Sequence, residues 1–183
     1  MASRCCGVFI YQDLYYWRKT VLKQNIEDFI GEILTEDMRK DALEFVAYLR
    51  ANGMLFERGK GYWEDKLYWM IKYESEYVCF ILINGGKDKT ELKGWTVWSD
   101  DSGSSWFADF PLENYLKKIA WENVDICVNC GSCENPGGIQ KLIFGKRFDH
   151  VCITAMKFVN PDADALECMK KMAELRKNDI LHR

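Results

Sequence analysis

The stretch Cys127-Val128-Asn129-Cys130-Gly131-Ser132-Cys133 puts three thiols into one turn-prone segment. A CxxC step lets two sulfurs from one tight turn reach a single ion, and zinc takes thiolate ligands in tetrahedral geometry. Gly131, directly after Cys130, supplies the positive φ that such a turn needs when it aims backbone N–H groups at sulfur. Three sulfurs leave one vertex of the tetrahedron to fill. Period 2 along Phe148 to Phe158 places His150, Cys152, Thr154 and Met156 on one strand face. Cys152 is the first choice for a fourth zinc ligand, and the neutral imidazole of His150 is the alternative. Cys5, Cys6 and Cys168 complete the eight cysteines outside this region apart from Cys79. An iron-sulfur cluster fits less well, because the bacterial run places its next cysteine where this chain has Gly137. Thiol exchange is a further use of CxxC, but no thioredoxin-like βαβ pattern surrounds it.

A second group of residues carries binding chemistry. Trp63, Tyr68, Trp69, Trp95, Trp98 and Trp106 lie close in sequence to Glu64, Asp65, Asp100 and Asp101. Tryptophan faces beside a carboxylate suit a cationic or planar organic ligand. Alternation requires many of these rings to cover the sheet instead, so core packing is the expectation for any one of them. The ligand candidates are Tyr68 and Trp98, which fall on mixed strand faces, with Trp63 and Glu64 from the preceding loop. Catalytic constellations are sparse. The two histidines are His150 and His182, no GxSxG or phosphate-binding glycine loop occurs, and Asp100 and Asp101 are adjacent, so they point apart. No catalytic residue is assigned.

These groups need elements to hold them. Leu14, Trp17, Leu22, Ile26, Phe29, Ile30 and Ile33 recur near period 3.6, which predicts a helix from Leu14 to about Leu34. Thr35 offers an N-cap for a second helix with an apolar stripe of Met38, Ala42, Phe45, Val46 and Leu49, closed by Gly53. Strands follow: Leu67 to Tyr73 alternates, Tyr77 to Ile83 is apolar on both faces, and Trp95 to Trp98 continues the meander. Pro111 opens a helix through Tyr115, Leu116, Ile119 and Ala120. Two more strands, Gln140 to Phe144 and Phe148 to Phe158, flank a turn at Gly145-Lys146-Arg147, and Asn160-Pro161 starts a last helix. The fold class is α+β: an antiparallel sheet of about five strands with helices packed mainly on one face.

Size and charge bound the rest. The 183 residues, 48% hydrophobic, can bury a conventional core, so a single domain over 1–183 is expected, helical over about 11–53 and sheet-containing over about 54–183. A net charge of -3 with no basic stripe argues against nucleic acid. No apolar run approaches a membrane span or a signal-peptide core, which points to no membrane and a cytoplasmic protein with reduced thiols.

Gly61 through Tyr73, Gly94 through Gly103, the cysteine bend, and Ile143 through Cys152 resemble a family of uncharacterised small bacterial proteins. The order of helices, meander, helix, hairpin and last helix is similar to YdhG-like domains, and tryptophan beside acid resembles GyrI-like ligand-binding domains. The resemblance carries no activity across, and the cysteine cluster departs from both domain types; the residues themselves point to a cytoplasmic small-molecule-binding or sensing domain with a structural metal site. A metal- or thiol-dependent enzyme using residues 127–133 is one alternative, and a protein-interaction module with an exposed aromatic patch is the other.

Overall fold

Two capped helices lead into the sheet. The computed structural model describes residues 25–59, 67–84, 94–100, 105–130 and 136–183. The expected helical turns before Asn25, together with Trp63, Glu64 and Cys133, lie outside the described residues. Helix α1 (Ile26–Ile33) starts at Asn25, whose backbone N–H donates to Asp28 Oδ2 at 3.1 Å. Helix α2 (Glu36–Ala51) has Thr35 at its N-cap and ends where Gly53, φ +77°, reverses the chain. There the N–H of Met54 donates to Leu49 O and that of Gly53 to Arg50 O, the paired bonds of a Schellman ending.

Four strands, β1 (Leu55–Arg58), β2 (Leu67–Tyr73), β3 (Glu76–Asn84) and β4 (Gly94–Ser99), then form an antiparallel meander. After α3 (Trp106–Asp109) and α4 (Asn114–Glu122) come β5 (Val124–Ile126), β6 (Ile139–Ile143), β7 (Lys146–Val159) and α5 (Ala163–Leu181). The spatial order is β1-β2-β3-β4-β7-β5, with β6 also paired to β7. Val151 of β7 pairs with Ile126 on one side and Ile139 on the other. Among the described residues the sheet therefore has seven strands where the sequence predicts about five. The two additional ones, β1 and β5, span four and three residues, too few for alternation to stand out.

Register separates the two sheet faces. Trp69, Ile81, Val97 and Phe158 align across four strands, as do Leu67, Ile83 and Trp95. Most of these side chains join one buried cluster with Phe29, Phe45, Leu49 and Met169 from the helices. The Phe29 ring lies 5.5 Å from Trp69 and Phe45 lies 6.2 Å from Trp95. The other face carries Tyr68, Met70, Phe80, Leu82, Thr96 and Trp98, none of which belongs to that cluster.

Two connections differ from expectation. Ile143 pairs with Lys146, so the β6–β7 turn is Phe144-Gly145, not Gly145-Lys146-Arg147. Both turn residues have positive φ, +46° and +81°, the handedness that matches strand twist in a two-residue hairpin. The last helix is capped by Asp162, whose carboxylate accepts from Ala165 N–H at 2.9 Å, and not by Asn160. Asn160 instead sits at φ +46° and its Oδ1 accepts from Trp95 N–H at 2.9 Å, fastening the end of β7 to β4.

Candidate functional site

The cysteine bend leaves β5 as that strand ends. The Cys127 N–H donates to His150 O at 2.7 Å, which carries the β5–β7 pairing one step into the bend. Asn129, φ +55°, donates its N–H to Cys127 Sγ at 3.5 Å. Its side-chain Oδ1 accepts from Gly137 N–H at 2.5 Å, drawing the far end of the loop inward. Gly137 O lies 3.0 Å from His150 Nδ1. A carbonyl only accepts, so Nδ1 carries the proton and the ring lone pair sits on Nε2. Val128, at 82% exposure, and Cys130 face solvent.

Cys152 lies elsewhere on β7 from what a simple period predicts. His150 and Ala155 both have positive φ, +56° and +58°, and each turns the strand. Val124 pairs with Met156 and Ile126 with Val151, so a two-residue step on β5 faces a five-residue step on β7. The single face expected for His150, Cys152, Thr154 and Met156 is broken: His150 is exposed while Met156 is fully buried. Cys152 is half-buried near Asp125, whose carboxylate accepts from Thr154 Oγ1 at 3.1 Å. Burial, with the Asp125 charge adding to it, raises the Cys152 thiol above its ordinary pKa against the hydrogen bonds from Thr154. Cys152 therefore stays protonated near neutral pH in this setting. Among the described residues no three of His, Cys, Asp and Glu gather as a metal ion would need.

The aromatic face is built by β2, β3 and β4. Tyr68, 8% exposed, pairs with Leu82, and Phe80 pairs with both Met70 and Trp98. The Tyr68 ring covers Gly59, where an added Cβ would meet it at 2.0 Å. Trp98 is half-buried, and Lys157, its partner on β7, brings Nζ to 5.6 Å from the ring. Phe80 packs on Tyr77 with centroids 5.4 Å apart.

Asp100, one of the acids near the tryptophans in sequence, is turned into the core. Its Oδ1 accepts from Trp106 Nε1 at 2.7 Å and its Oδ2 lies 3.4 Å from Nε of Arg176, which is fully buried. Arg176 also donates to Tyr77 O at 3.0 Å and to Asp179, and lies 3.4 Å from Glu76. Sequence reasoning missed this group. Its signal is an arginine in the apolar stripe Met169, Met172, Ala173, Arg176, Ile180 of the last helix.

Two cavities complete the description. One of about 20 Å³, among Phe45, Cys79, Val97, Phe158 and Met172, has room for about one water. The other, an open depression of about 340 Å³, is lined by Ser105, Trp106, Phe110, Asp179 and Arg183. Its carboxylate is already held, since Asp179 accepts from Arg176 and from Arg183 at 2.8 Å. Among the described residues no helix is long and apolar enough to cross a membrane. Comparison with family models, with curated proteins and with solved structures gives no match.

Proposed function

We propose that this chain is a cytoplasmic binding or sensing domain whose receptor surface is the sheet face carrying Phe80 and Trp98, with the helices packed mainly on the opposite face. One observation carries the reading: register aligns six side chains, three of them aromatic, on a face outside the buried cluster, where Phe80, Trp98 and Met70 are half-buried while Tyr68, Leu82 and Thr96 are covered. Half-buried rings there offer a flat apolar platform, and Lys157 beside Trp98 favours a planar ligand with an acidic group over the cationic one that neighbouring acids suggest. Trp63 and Glu64, which precede β2 in sequence, remain part of the proposed surface. A titration with 2-naphthoate, read by thermal shift and tryptophan fluorescence, tests it. Saturable binding that is lost in both Trp98→Ala and Phe80→Ala is expected. Binding that survives both substitutions, or no binding by wild type, overturns the reading.

A second reading concerns the bend. His150, with Nδ1 protonated by its bond to Gly137 and Nε2 turned outward, has the arrangement of a metal-ligating histidine held by a backbone carbonyl. The N–H of Asn129 directed at Cys127 Sγ is the corresponding support for a thiolate. The proposed donor set is Cys127, Cys130 and Cys133 with His150 or Cys152, and because its described members do not stand together as an ion needs, binding requires the bend to close on the metal. The expected ion is zinc rather than an iron-sulfur cluster. Elemental analysis decides it: about one zinc per chain, lost in one of His150→Gln and Cys152→Ser, is expected. Metal-free protein from zinc-replete cells, or metal retained in both variants, removes it.

A further inference from the structure

Arg58 ends β1, the outermost strand of its side of the sheet among the described residues, and its guanidinium is set among aromatic rings. Its carbon lies 4.5 Å from the Trp69 ring centroid and 5.1 Å from that of Phe29. Nη1 is buried and makes no hydrogen bond. Burial lowers the Arg58 pKa from its ordinary value, with Tyr68 acting in the opposite sense. Several other arginines of the fold are met by oxygen, Arg50 by Glu27, Arg183 by Asp179, and the buried Arg176 by two carboxylates and a carbonyl, and Arg39, whose Nε is also buried without a partner, still donates through Nη2 to Leu34 O. The acid adjacent in sequence, Glu57, is engaged by Lys72 at 2.6 Å.

Ring contacts satisfy the face of a guanidinium electrostatically, but its N–H donors lie in the plane, at the edge. A half-buried guanidinium with one buried N–H group that lacks an oxygen partner is poised to take one by a small shift of the side chain, and the matching partner is a planar or tetrahedral oxyanion held by two parallel N–H bonds. Trp69 and Phe29 limit the swing of the side chain, so little freedom is lost when an anion docks. We propose that Arg58 is an oxyanion receptor, binding the carboxylate or phosphate group of a small ligand at the β1 edge of the sheet. This site is independent of the Trp98 surface and stands or falls separately from it.

The test uses the full chain at constant ionic strength in chloride, titrated in separate arms with inorganic phosphate and with acetate, and read by thermal shift and tryptophan fluorescence. Wild type is expected to respond saturably to at least one of them, and the arm that responds names the source chemistry. Arg58→Met, which keeps an unbranched apolar stem between the rings, is expected to lose that response while melting no lower than wild type in chloride alone. Arg58→Lys keeps the charge without the fork and is expected to bind about tenfold more weakly. If neither anion acts on wild type, or if both variants respond as wild type does, the proposal is overturned.

Discussion

Burying Arg176 beside Asp100 joins four parts of the chain at one point: α5 through the arginine, β3 through Tyr77 O, the end of β4 through Asp100, and α3 through Trp106. Such a pair contributes little over a well-packed apolar replacement, yet breaking one half strands the other charge. Arg176→Leu is therefore expected to destabilise by about 3–5 kcal/mol, read as a lower urea midpoint with an unchanged m-value. Asp100→Asn in the same chain should return part of that loss, because the stranded charge is gone. Sequence makes the arginine visible as a break in an apolar stripe, but not its partner. The acid lies 76 positions away, by 176 − 100, and only the packed core brings the two together. The cysteine bend is the reverse case. Its residue types announce possible chemistry at once, whereas the outward Nε2 of His150 follows from a hydrogen bond to Gly137 that no spacing rule contains.

At the scale of elements, strands with several alternating residues are legible: β2, β3, β4, β6 and β7 lie within about two residues of the expected spans, although the β6–β7 turn falls earlier than expected. What alternation cannot reveal is where a strand stops obeying it. Positive φ at His150 and Ala155 inserts extra residues into β7, and a face read through those points is wrong beyond them. Ala155 is fully buried and pays a steric penalty for its backbone that glycine avoids. Ala155→Gly is expected to stabilise by about 0.5–1 kcal/mol, while Ala42→Gly, inside α2, should destabilise by a similar amount. Chemical denaturation of the two variants side by side checks the contrast. If both lose stability equally, the bulge at Ala155 is not strained. Phe144 gives a different balance at its own positive φ: its ring packs 6.3 Å from Trp106, so the core holds a residue the turn alone would not select.

For the molecule as a whole, the buried thiols tie stability to alkaline pH. Burial pushes Cys168 up to about 12, and Cys79 is raised further by burial with the Asp100 charge adding to it. Both folded-state values lie above the unfolded thiol value of about 8.5. The stabilisation is therefore fully present below about pH 8.5 and declines as pH rises toward the folded values, because the unfolded chain releases these protons first. Urea midpoints between pH 7 and pH 11 should fall, and Cys168→Ala should fall less steeply across the same range. An identical slope in the variant would exclude Cys168 as a source.

Three residue pairs, Thr96 with Val159, Val97 with Phe158 and Trp98 with Lys157, join the β1–β4 meander to the β5–β7 group. Asn160, whose N–H donates to Trp95 O, and the Met156 N–H, which donates to Ser99 Oγ, extend that seam, and α5, in contact with β3, α2, α3 and α4, spans the helical layer beside it. A substitution that spoils the Trp98–Lys157 pair therefore reaches the meander and the β5–β7 group together, since both strands of that pair belong to one continuous sheet.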